Sequence, residues 1–280
     1  MKISFIVLTY NRTDALLPVL RSLARQCGPE NEVVIADDGS DVANIELLRS
    51  RLPAFSCPVR HIWHPDIGFT AAKARNLGAC FSRGDYLVFI DGDCIPNRSF
   101  VAAHKWLAEP GCFVNGSRVL LSEPLSARSI EGAIDLPSQA AKFWWMARLR
   151  GHSNKLLHTL TWRSSMLRVK ERFVWRGIRS CNMAIWRKDF WAVNGFDETF
   201  EGWGHEDADL VLRLSNLGIK RKNGFMATEV FHLWHKESLR DQEAVNKQKL
   251  IDRMKSRLIL AEKGLRELAD DPLVKVEQLH

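Results

Sequence analysis

Tyr86-Leu87-Val88-Phe89-Ile90-Asp91-Gly92-Asp93 is the stretch on which the fold of this 280-residue chain turns. Five apolar or aromatic residues end abruptly in two carboxylates around a glycine. A short continuous apolar run bounded by a turn reads as a strand buried on both faces, the kind found inside parallel sheets. Towards the N-terminus the same unit recurs. Ile3–Leu8 reads as a strand, and Thr13 to Cys27 as a helix with Leu16, Leu17, Leu20 and Leu23 on one stripe. Glu32–Ala36 reads as a strand closed by the turn composition Asp37-Asp38-Gly39-Ser40. Val42–Arg51 follows as a helix stopped before Pro53, then Val59–Trp63 as a strand and Thr70–Phe81 as a helix. Beyond Asp93, Pro96–Leu107 reads as a helix with its proline near the first turn. This βαβα order predicts an α/β fold, a mainly parallel sheet covered by helices on both faces. Ligands of such sheets bind beyond the carboxyl ends of the strands, where Asp37-Asp38 and Asp91/Asp93 both fall.

After Asn115 the pattern changes. Residues 120–175 read as a basic, aromatic, helical stretch. Ser180–Trp186 looks like a returning strand, Glu206–Asn216 a helix and Ala227–Leu233 a short strand. Residues 239–268 read as a charged helix with Leu250, Met254, Leu258 and Leu265 as its stripe.

Composition narrows the class. Six scattered cysteines without a C-x-x-C pair favour reduced thiols and hence the cytosol. Ile3–Leu8 is too short for a signal peptide and lacks a cleavage site. No stretch approaches the roughly 20 apolar residues that span a bilayer. The formal charge of +7 is uneven: Lys142 to Lys188 holds 12 Lys/Arg, one acid (Glu171) and five of the ten Trp. Such a segment attracts anions, either a phosphate-bearing substrate or a lipid headgroup surface. It also reads as a solvated helical hairpin with Trp in the core.

Several groups could carry chemistry. Asp91 and Asp93 at a buried strand end suit a hard divalent cation, Mg²⁺ or Mn²⁺, and equally a plain Asp-Gly turn. Asp38 could accept from a base or a ribose hydroxyl; by itself it reads as an N-cap for the next helix. Arg75 lies on a helix of small residues and could reach a phosphate, or lie on the surface. Gly202-Trp203-Gly204-His205-Glu206-Asp207 puts an aromatic face between glycines and two acids at a helix start. Those acids fit the helix dipole, and a carboxylate there could also act as general base. His232 and His235, at i and i+3, could complete a metal shell.

In order, Ile6-Val7-Leu8-Thr9-Tyr10-Asn11-Arg12, Asp37-Asp38-Gly39-Ser40, Ala74-Arg75-Asn76-Leu77-Gly78 and Asp91-Gly92-Asp93 resemble the GT-A glycosyltransferases of the family 2 type. Gly195-Phe196-Asp197 with Gly202-Trp203-Gly204-His205-Glu206-Asp207 resembles the half shared with β-1,4-galactosyltransferases and bacterial chondroitin-type polymerases. The resemblance, over roughly residues 1–120 and 178–236, implies a GT-A sheet, mixed and mainly parallel; the helical basic insertion, which matches nothing in the family, and the C-terminal helix are read from the residue pattern. Together they give four segments: 1–115 for the nucleotide-sugar, 116–178 the insertion, 179–236 the acceptor and catalytic half, and 237–280 the C-terminal extension. On the donor side it places Thr9, Tyr10, Arg12, Asp38, Arg75, Asp91 and Gly92. Asp93 would ligate Mn²⁺ or Mg²⁺ with His232 or His235. Trp203 and Gly204 would meet the acceptor, Asp207 would be the base, and Glu206 would hold sugar hydroxyls. His205 stands where the galactosyltransferases usually have Gly.

The implied activity is inverting transfer from a nucleotide-sugar, UDP-sugar favoured, to a glycan or lipid-linked acceptor of a bacterial surface polysaccharide such as lipopolysaccharide or capsule. The expected location is the cytoplasm or the inner face of its membrane, with peripheral attachment to anionic lipid. The alternative is an inactive nucleotide-sugar or polyanion-binding module. No nucleic-acid motif accompanies the basic stretch, so no nucleic-acid partner is expected.

Overall fold

In the computed structural model the apolar runs become strands β1 (Ile3–Thr9), β2 (Asn31–Asp37), β3 (Val59–Trp63) and β4 (Tyr86–Asp91). They lie in the order β3-β2-β1-β4, all parallel. Parallel neighbours need a crossover, and α1 (Thr13–Ala24), α2 (Val42–Arg51) and α3 (Ala71–Cys80) supply it. The structure describes residues 1–162, 164, 167–175, 177–236, 240–268 and 272–280, with 158 by its backbone alone.

Alternation along each strand feeds two cores. Phe5, Val7, Val33 and Val88 pack against Leu16 and Leu20 of α1 on one face. Ile6, Val34 and Phe89 pack against Ala74 and Leu77 of α3 on the other. α3 sits unusually close to the sheet. A β-carbon on Gly78 would meet Ile6 Cγ2 at 2.7 Å and Ala36 Cβ at 3.1 Å. Arg75 lies three residues earlier on the same face of that helix, so this approach draws it under the sheet end.

The remaining strands are β5 (Cys94–Pro96), β6 (Cys112–Asn115), β7 (Ser117–Leu120), β8 (Val169–Lys170), β9 (Asn182–Trp186), β10 (Lys220–Asn223), β11 (Glu229–His232) and β12 (Lys275–Gln278). β9 adds to β4 antiparallel, and the sheet continues β6-β10-β8, while β12 closes the other edge antiparallel to β3. The sheet is therefore mixed. A second sheet, β5-β11-β7, stands at the carboxyl end of β4.

The later helices are α4 (Phe100–Leu107), α5 (Glu123–Ile130), α6 (Ala141–Leu149), α7 (Arg187–Ala192), α8 (Glu206–Asn216) and α9 (Glu243–Arg253). Three expectations change. Pro96 does not start a helix; it ends β5, and α4 begins at Phe100. Among its described residues the basic stretch is α-helical only at α5 and α6, with single 3-10 turns at Leu136–Ser138 and Leu157–Thr159, irregular backbone and β8. Its Trp144 is core, stacked on Phe231 at 4.5 Å, whereas Trp145 is 56% exposed. The helix expected over 239–268 is confined to Glu243–Arg253, and Leu239 lies outside the described residues. Gly264 explains part of that: a β-carbon there would sit 1.9 Å from Asn194 O, so the chain passes flat against its neighbour instead of coiling. Among the described residues no helix is long and apolar enough to cross a membrane.

Candidate active site

The Asp91-Gly92-Asp93 turn is held by β1. Gly92 N–H donates to Leu8 O at 2.6 Å, and a β-carbon on Gly92 would come within 2.7 Å of that same oxygen. Only glycine lets the turn hug β1, and the turn then separates its two carboxylates between two clusters.

Asp93 faces the histidines. His235 Nε2 lies 3.3 Å from Asp93 Oδ2 and His232 Nε2 3.9 Å from Asp93 Oδ1. β11 delivers them, pairing His232 with Cys94, and Leu233 N donates to Asp93 O at 2.8 Å. His235 Nδ1 lies 2.8 Å from the Lys236 carbonyl, which can only accept. That makes Nδ1 the donor to the carbonyl and leaves Nε2 facing Asp93. Burial, with Arg118 and His235, pushes His232 below the usual histidine range, which favours a nitrogen lone pair for coordination. One carboxylate and two imidazoles fit a divalent transition-metal ion. The donor atoms of Asp93, Cys94 and His232 lie within 4.8 Å of one another, and His235 approaches this group through Asp93; burial drives the Cys94 thiol well up, so it stays protonated.

Asp91 faces the other way. Arg75, 4% exposed, donates from Nη2 to Asp91 Oδ1 at 2.9 Å and from Nη1 to Glu206 Oε1 at 3.4 Å. It is not a surface arginine. Its fork ties the end of β4 to the start of α8, the two halves of the site, which lie 131 residues apart at Arg75 and Glu206. Asp207, next to Glu206, accepts from its neighbour Ala208 N at 2.7 Å and from Ser180 N at 3.2 Å. Burial and the Glu206 charge nevertheless raise its carboxyl to about 7. A carboxylate poised there is matched to taking a proton near neutral pH. Asp209, one turn into α8, is buried between Arg213 and Arg253 and pins the helix in place. Trp203 and Gly204 stand on the loop before α8, with the Arg240 guanidinium 4.5 Å from the Trp203 ring centre.

The first two strand ends make a third group. Asp38 accepts from Thr70 Oγ1 at 2.5 Å and Thr70 N at 3.0 Å, and His64 Nε2 is 3.1 Å away. It braces the start of α3. The cap of α2 is Asp41, which accepts from Asn44 N. Thr9 Oγ1 is buried without a partner among the described residues. Tyr10 is exposed and donates to Asp66 at 2.8 Å; Arg12 pairs with Asp14 at 3.0 Å. Beside them opens a cavity of about 620 Å³, lined by Asn11, Ser40, Trp63, Asp66, Lys275 and Glu277 among others. Thr9, Tyr10, Arg12 and Asp38 are not among its described lining residues. Lys275 and Glu277 come from β12, and nothing in the sequence pattern marked them.

Residues 4–109 match the family model described as Glycosyl transferase family 2, and residues 163–236 match one described as N-terminal domain of galactosyltransferase. The first match holds the Asp38, Arg75, Asp91 and Asp93 positions; the second holds Asp207, His232 and His235. Validoxylamine A glucosyltransferase of Streptomyces hygroscopicus subsp. limoneus is 29% identical over 235 residues, 78% of this chain and 48% of its own length. The chain thus spans about half of that relative. Among solved structures, S. aureus TarS 1-349 in complex with UDP-GlcNAc matches with a TM-score of 0.58 at 15% identity, over 96% of this chain and 69% of that one. A mannosyltransferase from Pyrobaculum calidifontis in complex with GDP-Man and Mn²⁺ matches with a TM-score of 0.57 at 17% identity, over 89% and 64%. At such identities the likeness speaks for the fold.

Proposed function

We propose, from the premise that this chain carries a family 2 glycosyltransferase domain on a GT-A fold, that it is a metal-dependent inverting transferase. It would move a sugar from a nucleotide-sugar, UDP-sugar favoured, to a glycan or lipid-linked acceptor of a bacterial surface polysaccharide. The observation that carries the reading is the Arg75 bridge. It sets Asp207, raised to about 7, beside the strand end that presents Asp91 and Asp93.

Asp93, His232 and His235 would hold Mn²⁺ or Mg²⁺, which when bound neutralises diphosphate charge on the leaving nucleotide. The chain's own groups do the rest. Thr9 and Tyr10 border the nucleobase, and Asp38 keeps that wall in place through Thr70. Asp91 takes the ribose side, held by Arg75. Glu206 fixes sugar hydroxyls, Trp203 offers its open face to a sugar ring, and Asp207 removes the acceptor proton. One base on the face opposite the nucleotide gives inversion. Solved neighbours are complexes with UDP-GlcNAc and with GDP-Man and Mn²⁺, which supports a nucleotide-sugar donor.

Nucleotide release from a panel of UDP- and GDP-sugars, with and without Mn²⁺, tests the transfer. Metal-dependent release is expected from one UDP-sugar. Binding without turnover across the panel would leave a nucleotide-sugar-binding module in its place.

The outer face of α6 supports peripheral membrane attachment. Trp145, Met146 and Leu149 are exposed there, Leu149 at 76%, beside exposed Lys142, Arg148 and Arg150. Aromatic and aliphatic side chains flanked by cations suit the headgroup boundary. The chain is expected to float with anionic vesicles at low salt and to be released at high salt. Failure to float at low salt defeats the attachment.

A further inference from the structure

We propose that Arg118, Lys155, Arg179 and Arg221 form a subsite for an oxyanion carried by the acceptor, a phosphate or a carboxylate, next to the transfer centre. The inference deepens the reading above and rests on it.

These four cations line a cavity of about 320 Å³, and no carboxylate stands among its described lining residues. That volume sits at the small end of ligand pockets and admits a sugar unit with its charged group. The cluster is built rather than scattered on the surface. Asn154 clamps the segment before Lys155 onto β7: its Oδ1 accepts from Leu120 N at 2.8 Å, and its own N donates to Leu120 O at 3.2 Å. Lys155 Nζ then donates to Ser117 Oγ at 2.6 Å. Arg221 is half-buried on β10 and donates from Nη1 to Val174 O at 3.1 Å, while its Nε is buried with no partner. Asn115 Oδ1 accepts from Arg179 N at 3.4 Å and so holds the fourth cation at the rim.

The charges are not balanced within the protein. Among the described residues no carboxylate pairs with Arg118, Arg179 or Arg221. Burial, then Arg179 and Arg118, push Lys155 below its usual range; the acid that opposes them is Glu229. Glu229 is itself raised to about 7 by burial, so near neutrality it offers only part of a charge. Cations gathered without counter-charge repel one another, and an arriving oxyanion relieves that repulsion while filling their donors.

Position ties the cavity to the reaction. Arg179 precedes Ser180, whose N–H holds Asp207. Arg118 lies on β7 two residues before Leu120, which pairs with His232, and its charge is felt at that imidazole. An oxyanion here would be anchored between the base and the metal ligands, where an acceptor must lie.

The test titrates the full chain by calorimetry with inorganic phosphate and, separately, glucuronate, for the wild type and for Arg118→Gln/Arg179→Gln. One probe is expected to bind saturably, identifying phosphate or carboxylate as the group, and to weaken at least tenfold in the double variant. UDP–Mn²⁺ affinity is expected to change less than twofold. Lys155→Gln alone replaces the double variant if that loses its melting transition. The proposal is overturned if the wild type binds neither probe, or if the substitutions leave binding unchanged. It is equally overturned if UDP–Mn²⁺ affinity falls in parallel, because the cations would then serve the donor diphosphate. Donor hydrolysis to water, measured alongside, reports on the transfer reading independently of this subsite.

Discussion

Asp207→Asn is expected to lose transfer by ~10²–10⁴-fold, the usual contribution of a general base, while the variant melts higher than the parent protein at pH 8. Both halves follow from one burial. The folded state raises the Asp207 carboxyl from 3.8 to about 7, chiefly by desolvation and then by the Glu206 charge. A group whose folded value lies above its unfolded value binds its proton more tightly when folded. Its contribution is fully present below the unfolded value and is lost as pH rises through about 7. The ionised side chain therefore strains the fold above neutrality, by at most roughly 4 kcal/mol at about 1.4 per unit. Asn removes that charge but keeps one oxygen for Ala208 N–H. Its amide would face the Ser180 N–H donor to donor, which takes back about 1–3 kcal/mol. A net gain of about 1–2 kcal/mol corresponds to several degrees. The gain should shrink towards pH 5, where the parent carboxyl is protonated. In the parent, kcat/KM should rise with pH along a limb near 7. Equal melting differences at pH 5 and pH 8 would remove the strained carboxylate, and residual transfer above a tenth of the parent would remove the base.

How much of this was legible beforehand follows from where the signal lives. β1 to β4 are covered on both faces, so each is a continuous apolar run, and the order of runs and amphipathic segments gives the sheet. The carboxylates at those strand ends were legible for the same reason. Arg75 was legible as a candidate but its burial was not, since that depends on Gly78 letting α3 touch Ile6, a contact between residues 72 apart in sequence. The role of Asp38 was hidden likewise, because Thr70 and His64 both come from the connection between β3 and α3, beyond the next helix and strand in the chain. β12 escaped notice as an edge strand: Lys275-Val276-Glu277-Gln278 is polar, mostly exposed and half-paired, with no apolar run to betray it. The stripe over 239–268 misled because its leucines serve different neighbours. Leu250 packs against Ala208 and Leu212 of α8, whereas Leu265 joins the core under α3. A helical period in sequence carried no guarantee of one helix. The basic stretch shows a similar split, with Trp144 in the core and Trp145 in solvent.

Adding Mn²⁺ and UDP together should raise the melting temperature far more than either alone, and Asp93→Ala should abolish the excess. A ligand at one hundred times its dissociation constant stabilises by about 2.7 kcal/mol, which for a domain of this size is roughly 5–10 °C. Two of the three proposed ligands are imidazoles, so Mn²⁺ should outrank Mg²⁺. Magnesium prefers an octahedron of oxygens and gives up its waters reluctantly, whereas imidazole nitrogen suits the transition ion. His235→Ala should weaken Mn²⁺-dependent UDP binding by at least about 10–100-fold, the range seen when even outer partners of a metal are lost. His232→Ala should do the same if both rings bind, and its effect beside that of His235→Ala assigns the shell. The variants remove little packing, because His235 is part-exposed and, among the described residues, the Asp93 carboxylate meets the histidines and the Cys94 thiol. Their folds should survive for the comparison. If UDP shifts the melting temperature equally in EDTA, the Asp93–His232–His235 cluster is a hydrogen-bonded brace for β11, and the diphosphate must be held by cations instead.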